Sequence, residues 1–250
     1  MKKILLLFLL LPILLFGMDR DSALPDLVRS DASATNQLQH PLQKGLVFDM
    51  PMTLPNIRGA TTALDISANT NHGTASNCTI GATYTTFNGT TSYVDVGADK
   101  PTDLTGDITI SAWIYPTGWG ERNTGRILGN GKYILRVTVA GDKIQIFNLG
   151  EKTVNSADNS VTLNTWHHVL TTRPSAGTNT NIYINGVLSG TANQDFGTPA
   201  AGTTNTFIGK DDAGAKTFDG YIAHVRIWNR ILTTAERTAE YNRLKGTYQP

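Results

Sequence analysis

The chain has 250 residues, and 21 Lys and Arg against 20 Asp and Glu give it a formal net charge of +1. This near-neutral balance argues against nucleic acid as a partner, because binding a polyanion needs a basic patch or stripe. The single cysteine, Cys78, excludes an internal disulfide, so the fold must be held by its hydrophobic core. We expect Cys78 to be a small apolar side chain within that core.

The first 17 residues have the pattern of a secretory signal peptide. Lys2 and Lys3 precede an uncharged apolar run over 4–16. Such a run, about 13 residues long, would span roughly 20 Å as a helix, which is short of the roughly 30 Å hydrocarbon core of a membrane. We therefore predict a signal peptide over 1–17 and a secreted or cell-surface protein. The alternative is a retained N-terminal tether, which would be the only part of the chain in contact with a membrane.

The sequence then divides into a linker and one domain. Residues 18–43 are polar and acidic with scattered Leu, and no strand or helix period persists, which predicts a linker. From Gly45 onward, clusters of Gly, Thr, Asn and Asp recur about every 8–12 residues, a spacing typical of an all-β sandwich or barrel. We predict a single domain over 44–250.

Short β-rich runs follow one another in chain order. The run 108–115 alternates so that Ile108 and Ile110 share one face while Trp113 and Tyr115 share the other. Asn185-Gly186 lies between two apolar runs and predicts a tight hairpin, because both central residues of a type I′ turn need positive φ. The predicted strands cover 46–48, 93–96, 108–115, 133–139, 143–147, 166–171, 181–184, 187–188 and 223–228.

The end of the chain is the one segment that predicts a helix. Thr233 and Glu236 have the spacing of a capping box, with Thr233 as N-cap. Ala235, Ala239 and Leu244 then recur at roughly helical spacing, and we expect the helix to end before Gly246.

The order of these motifs resembles the laminin G-like, concanavalin A-like jelly-roll domains, which are distantly related to pentraxins. The resemblance implies an all-β, two-sheet antiparallel β-sandwich whose concave face is the usual ligand platform. It implies function only loosely, because the fold serves glycan binding, protein adhesion and, in some branches, hydrolysis, so function must be argued from a site. The stretches that carry the resemblance are 45–52, 64–74, 87–96, 108–116, 166–169, 182–187, 207–209 and 218–230.

The residues do not support hydrolysis. A glycosidase needs two carboxylates roughly 5–9.5 Å apart across one bond. No predicted strand presents paired acids on one face, and the adjacent Asp211 and Asp212 lie in a turn where their side chains point apart. His167 and His168 are neighbours on a strand and face opposite sides, so they cannot share one metal ion. We predict that the protein is not an enzyme.

A structural calcium ion is a candidate cofactor at the loop 65–73. Calcium takes six to eight oxygen ligands, and this loop is short, polar and glycine-bearing. The resemblance implies a site built on Asp65, loop oxygens and an acid of the penultimate strand motif, where this chain instead has Ala223-His224. The candidate metal ligands are Asp65, Asn71 and, as a replacement acid, Asp219. The alternative is an Asx-type turn, in which Asp65 accepts a hydrogen bond from the backbone two residues on.

The candidate ligand-binding residues lie in the glycine-rich loop 116–123. Trp119 is flanked by glycines, and an exposed aromatic ring there would stack on a sugar while Glu121, Arg122 and Asn123 bind its hydroxyl groups. The alternative is a tryptophan that folds back onto the edge of the sandwich. We expect the three other tryptophans, Trp113, Trp166 and Trp228, to pack in the core.

These patterns predict an extracytoplasmic, non-catalytic binding module for a glycan or a cell-surface ligand. The first alternative is an adhesion or spacer module that recognises a surface protein, which would suit the linker and the lack of a sharply defined site. A glycoside hydrolase is the second alternative.

Overall fold

Strands are the main secondary structure of the part of the chain that the computed structural model describes, which comprises residues 41–54, 56–58, 61–98, 105–148, 152–176, 179–192, 204–211 and 216–249. These residues belong to one unit that begins at Pro41. The predicted signal peptide and residues 18–40 of the predicted linker lie outside the described residues.

Two antiparallel sheets make up the unit, as the sequence predicted. The first sheet has the order β15-β14-β13-β8-β17-β6-β5, with β1 paired to β17, and the second has the order β12-β11-β10-β9-β16-β7-β4-β3-β2. The strands are β1 Leu46–Met50, β2 Ile57–Arg58, β3 Thr62–Ala63, β4 Gly73–Ser76, β5 Thr79–Ile80, β6 Thr85–Asn88, β7 Tyr93–Gly97, β8 Ile108–Pro116, β9 Arg126–Gly129, β10 Tyr133–Thr138, β11 Lys143–Asn148, β12 Thr153–Asn155, β13 His167–Arg173, β14 Thr180–Ile184, β15 Val187–Ala192, β16 Thr206–Ile208 and β17 Asp219–Trp228.

The core lies between the inner faces of the two sheets. The alternation of β8 sends Ile108, Ile110, Ala112 and Ile114 into this core, which confirms that these residues share one face of the strand. Other strands of both sheets supply further buried members, including Phe48, Phe87, Val94, Leu135, Ile144 and Ile208. Cys78 is half-buried at the edge of the same core, and burial raises the pKa of its thiol to about 11.

The outer face of the first sheet is also largely buried, because the two ends of the described chain cover it. Trp228 donates its indole N–H to the carbonyl of Leu42 at 2.8 Å, and Leu42 is 3% exposed. Arg230 donates to the carbonyl of Pro41. Residues 41–43, which the sequence placed in the linker, are therefore part of the domain. Their composition concealed this, because the contacts are made by one apolar side chain and by backbone carbonyls.

The helix α1, Thr234–Tyr248, lies across the outer face of the first sheet. The predicted capping box is present, with the Thr233 side chain accepting from the backbone of Glu236. The helix continues past Gly246, contrary to the prediction, because Tyr248 is buried and donates its hydroxyl to the carbonyl of Thr83 at 2.6 Å. No helix of the described residues combines the length and the apolar character that crossing a membrane requires.

A buried network of charges attaches α1 to the sheet. Arg226 on β17 donates to Asp49 on β1 at 3.0 Å and to Glu240 on α1, and Glu240 is fully buried. Burial alone would raise the pKa of Glu240, but Arg226 and Arg243 outweigh that effect and hold this pKa below its ordinary value. A charged carboxylate is therefore retained beneath the helix.

A β-bulge in β17 makes this network possible. The register between β17 and β8 shifts between Ala223 and Arg226, and His224 has a positive φ of 49°. The bulge places Arg226 on the outer face of the sheet and Val225 on the core face.

Gly220 provides a test of backbone packing within β17. It has a φ of +133°, and a β-carbon there would lie 2.1 Å from the carbonyl oxygen of Tyr115. We expect Gly220→Ala to lower the free energy of unfolding by more than about 2 kcal/mol. Gly246→Ala is the matched control. It meets no atom within 4 Å and lies in a helix, so it should stabilise the protein by roughly 0.5–1 kcal/mol. Urea-induced unfolding checks both, and equal effects would contradict the packing argument.

His168 should make the protein sensitive to acid. Its Nε2 lies 2.9 Å from the Ser111 hydroxyl, and burial lowers its pKa to about 4. Because an unfolded histidine has a pKa near 6.5, the unfolded chain binds more protons between these values, and stability falls as the pH drops through this window. We expect His168→Gln to reduce the stability lost between pH 7 and pH 4.5 by about 2 kcal/mol. The same loss in both proteins, measured by urea unfolding at the two pH values, would be evidence against this role.

Candidate functional site

The loop that carries Trp119 joins β8 to β9 and contains a 3₁₀ turn at Glu121–Asn123. Gly120 has a φ of +71°, and a β-carbon there would lie 2.3 Å from the carbonyl oxygen of Thr217. Glycine is therefore required at this position. Trp119 is half-buried and packs against the main core. Trp119 thus has the position of the alternative given from the sequence, a tryptophan folded back onto the sandwich, and not that of an exposed ring free to stack on a sugar.

The polar neighbours of Trp119 do not form one group with it. The Glu121 carboxylate accepts a hydrogen bond from the backbone N–H of Lys216 at 2.6 Å, which fixes the adjacent segment. Arg122 and Asn123 are exposed at the loop tip with φ of 55° and 58°. The structure therefore divides the four predicted ligand-binding residues into an inward pair, Trp119 and Glu121, and an outward pair, Arg122 and Asn123.

The carboxylate of Asp65 is occupied by hydrogen bonds within the protein. Oδ1 accepts from the backbone N–H groups of Asp49 and Ser67, both at 2.9 Å. Oδ2 accepts from the Ser67 hydroxyl at 2.9 Å and from the backbone of Asn71 at 2.7 Å. The bond to Ser67 two residues on is the Asx-type turn that the sequence left open as an alternative. Asp65 is 2% exposed, so this carboxylate is buried and fully engaged by donors.

The third candidate metal ligand, Asp219, lies at a different place. Asp65 is bonded to Asp49, which pairs with Arg226 on β17. Asp219 lies seven residues before Arg226 on the same strand, a separation of roughly 20 Å at about 3.3 Å per residue. The structure therefore does not bring Asp65, Asn71 and Asp219 into one site. In the described part of the chain, no cluster of three His, Cys, Asp or Glu residues is placed to hold a metal ion.

Asp219 lies beside a feature that the sequence analysis missed, a row of aromatic side chains on the outer face of the first sheet. We call this set, Tyr84, Tyr221, Tyr115 and Trp166, the aromatic row. Tyr115 and Tyr221 are paired directly across β8 and β17. On the other side of β8, His167 of the antiparallel strand β13 pairs with Ile114. The preceding residue, Trp166, therefore lies beside Tyr115. Tyr84 completes the row just before β6.

The rings of the aromatic row contact one another in sequence. Tyr84 and Tyr221 stack at 4.4 Å between ring centroids, and Tyr221 and Tyr115 stack at 5.1 Å. Trp166 lies 5.5 Å from Tyr115 and also contacts Tyr248 at the end of α1. All four side chains of the row are half-buried, which corrects the prediction that Trp166 packs in the core. Among the described residues, the hydroxyls of Tyr84, Tyr115 and Tyr221 have no hydrogen-bond partner.

A carboxylate borders the aromatic row at the next position along the strands. Asp219 shares a face with Tyr221 by the two-residue period of β17, and its Oδ1 accepts from the Thr117 hydroxyl at 3.1 Å. Gly89 and Gly118 leave room for this side chain, since a β-carbon on Gly118 would lie 2.3 Å from Asp219 Oδ2. Aromatic surface, free phenol hydroxyls and a partly exposed carboxylate thus meet at one end of the first sheet.

The sequence places one member of the aromatic row, Tyr115, on the correct face of its strand. The alternation of β8 already placed Tyr115 on the face opposite Ile108 and Ile110, and the structure shows that those two residues face the core. The neighbours of Tyr115 depend on the pairing of strands distant in sequence, such as Tyr221 across from it, and single-strand periodicity does not give that register.

Comparison with known proteins identifies the family. A family model described as the concanavalin A-like lectin/glucanases superfamily, of laminin G type, matches residues 88–236. The chain belongs to this family, which confirms the resemblance drawn from its motifs. No curated protein matches the chain significantly.

Solved structures with the same fold include a sialidase and two botulinum neurotoxin structures. Trypanosoma rangeli sialidase in complex with a difluoro-KDN is 16% identical with a TM-score of 0.59, over 79% of this chain and 32% of its own. The receptor binding domain of botulinum neurotoxin D is 14% identical with a TM-score of 0.59, over 80% of this chain and 53% of its own. A structure of botulinum neurotoxin type C, a toxin whose cell entry is dependent upon interaction with two ganglioside molecules, is 14% identical with a TM-score of 0.59. The match covers 81% of this chain and 52% of the neurotoxin chain. The chain thus matches about a third to a half of these longer proteins, and the similarity shows the fold alone.

Asp65 provides a test of the loop 65–73. An amide at this position would turn its NH2 group toward backbone N–H donors, so we expect Asp65→Asn to lower the free energy of unfolding by roughly 2–4 kcal/mol. Asp158→Asn is the control. Asp158 forms a surface ion pair with Lys143 and its side chain is 68% exposed, so the change should cost at most about 1 kcal/mol.

The same proteins test calcium binding. Because the Asp65 oxygens already accept four hydrogen bonds, we expect the unfolding midpoint of the wild-type protein to be the same in millimolar calcium and in excess chelator. A midpoint that falls on chelation in the wild type but not in Asp65→Asn would instead place calcium at this loop.

Proposed function

We propose that the protein is an extracytoplasmic, non-catalytic carbohydrate-binding module that holds its ligand along the aromatic row. The observation that carries the proposal is the alignment of four half-buried aromatic side chains across adjacent strands, with the Asp219 carboxylate beside them. The location outside the cytoplasm rests on the signal-peptide pattern of residues 1–17.

The chemistry of the row suits a sugar chain. Tyrosine offers apolar ring surface and a polar hydroxyl on a side chain with few rotatable bonds. Binding therefore costs little side-chain conformational entropy. The stacking of Tyr221 between Tyr84 and Tyr115 fixes these rings before a ligand arrives. Their unpartnered hydroxyls and Asp219 Oδ2 then provide donors and acceptors for sugar hydroxyl groups.

The length of the row indicates the size of the ligand. Neighbouring strands lie about 4.8 Å apart, so a row that crosses four strand positions is roughly 15 Å long. This length suits a short oligosaccharide segment better than a single sugar.

The arrangement of acids supports binding without hydrolysis. Of the described residues that border the row, Asp219 supplies the one carboxylate, whereas a glycosidase uses two that are roughly 5–9.5 Å apart. The glycan ligands named for the sialidase and neurotoxin structures belong to those proteins. They support carbohydrate as a ligand class that this fold can carry.

A second candidate function is recognition of a surface protein. Val187 and Leu188, directly after the Asn185-Gly186 turn, are 69% and 53% exposed. Two exposed aliphatic side chains on a hairpin tip favour contact with an apolar surface, which suits an adhesion module.

A glycan array followed by affinity measurement tests the proposal. We expect the wild-type protein to bind a discrete family of glycans. The double variant Tyr115→Phe/Tyr221→Phe keeps both rings and removes two hydroxyls, so it should bind the same glycans about tenfold more weakly. Tyr93→Phe, on the second sheet, is the matched control and should bind as the wild type does.

The other outcomes separate the alternatives. Glycan binding that the double variant leaves unchanged would remove the aromatic row from the site. A blank array together with capture of a surface protein, lost when Val187 and Leu188 are replaced by Ser, would favour adhesion. Turnover of a polysaccharide would establish a hydrolase.

A further inference from the structure

A cavity of about 250 Å3 opens on the outer face of the first sheet, at the end away from the aromatic row. It lies between β13, β14, the segment after β17 and the first turns of α1. Thr172, which lines it, is six residues along β13 from Trp166, so the cavity and the row are roughly 20 Å apart. The helix α1 lies between them, with Arg237 lining the cavity and Tyr248 touching Trp166.

The charge in this cavity is the guanidinium of Arg237. It lies over the ring of Tyr183, 4.5 Å from the ring centroid. It donates to the carbonyl of Leu232 and to the Thr234 hydroxyl, and these two bonds fix its orientation. A guanidinium has five N–H groups, so about three remain without a partner among the described residues.

No acid in the described lining of the cavity neutralises this charge. The neighbouring Glu236 is bound to Arg230 at 2.7 Å and 2.8 Å. The cavity therefore presents an oriented cation with spare donors and no fixed counter-charge.

Neutral polar groups surround the guanidinium. Asn181 accepts from the Thr191 hydroxyl through its side-chain oxygen, which leaves its NH2 group without a partner in the described structure. Asn179 and Thr172 add an amide and a hydroxyl to the lining. Donors and acceptors of this kind match hydroxyl groups of a small polar ligand.

We propose that this cavity binds the carboxylate of an acidic sugar residue, a hexuronate, through Arg237. A guanidinium matches a planar carboxylate with two parallel hydrogen bonds, which a neutral sugar cannot form. The volume is below the roughly 300–1,000 Å3 of drug-sized sites and admits one sugar ring. That the carboxylate is carried by a sugar rests on the proposed function, whereas the anion site itself rests on Arg237 and the cavity.

The test compares two probes that differ in one group, glucuronate and glucose. We follow backbone amide signals of the protein by nuclear magnetic resonance while each sugar is added. Glucuronate should shift the signals of Asn181, Tyr183 and Arg237 and bind at least tenfold more tightly than glucose. Arg237→Gln should weaken glucuronate binding at least tenfold, and Arg136→Gln, which changes an arginine on β10 of the second sheet, should leave it unchanged.

A second variant covers the case in which Arg237→Gln fails to fold, since Arg237 also binds the carbonyl of Leu232. Asn181→Asp leaves the hydrogen bonds of Arg237 to Leu232 and Thr234 in place. It puts a negative charge in the cavity that repels the carboxylate of glucuronate, so it should also weaken glucuronate binding at least tenfold. Equal binding of glucuronate and glucose, or full glucuronate binding by either cavity variant, would overturn the proposal.

The experiments can refute the proposal for the aromatic row and the proposal for the cavity separately. Loss of glycan binding at the aromatic row in Tyr115→Phe/Tyr221→Phe should leave glucuronate binding in the cavity intact. A protein that binds glucuronate through Arg237 but no glycan at the row would refute the proposed function and support the cavity.

Discussion

The architecture of the candidate sites depends on the guanidinium of Arg226. It joins Asp49 on β1 to Glu240 on α1 in surroundings that exclude water, with Arg226 3% exposed and Glu240 fully buried. Buried charges are expensive to desolvate and are retained when their partners compensate. Here the three charged residues come from three different elements, β17, β1 and α1, so the network fixes where the helix lies on the sheet. Because α1 lies there, the outer face of the first sheet is divided into the aromatic row and the polar cavity.

The aromatic rings around the helix end reinforce this placement. Tyr241 stacks on Trp113 at 5.9 Å, and Tyr248 contacts Trp166 at 4.4 Å. Trp166 in turn contacts Tyr115, which joins the packing beneath the helix to the exposed part of the row. The ligand surface is thereby supported from one side by buried groups, and a rigid surface loses less entropy on binding.

Much of the fold was predictable because its signals are local. The alternation of β8, the Asn185-Gly186 hairpin and the capping box at Thr233 each depend on residues within one element or turn, and the structure has all three. The length of α1 and the inclusion of Leu42 were not predictable, because Tyr248 and Leu42 are held by contacts with residues distant in sequence.

The sites were less predictable than the fold. Trp119 was singled out by its glycine-rich neighbours, but the same glycines let the loop fold back onto the core. Asp219 was grouped with Asp65 by residue type, whereas strand direction separates them. The aromatic row exists only when four segments come into register, and register is a property of the assembled sheet.

The bulge at His224 changes which residues of β17 face outward. Before it, odd-numbered residues such as Asp219 and Tyr221 face outward, and after it the even-numbered Arg226 and Trp228 do so. The odd-numbered residues before the bulge thus contribute to the aromatic row, and the even-numbered Arg226 after it binds the helix α1. An insertion or deletion of one residue between 221 and 226 would turn Arg226 into the apolar core or Tyr221 away from solvent. Relatives that keep both surfaces should therefore vary in the loops on either side of this strand but not in its length.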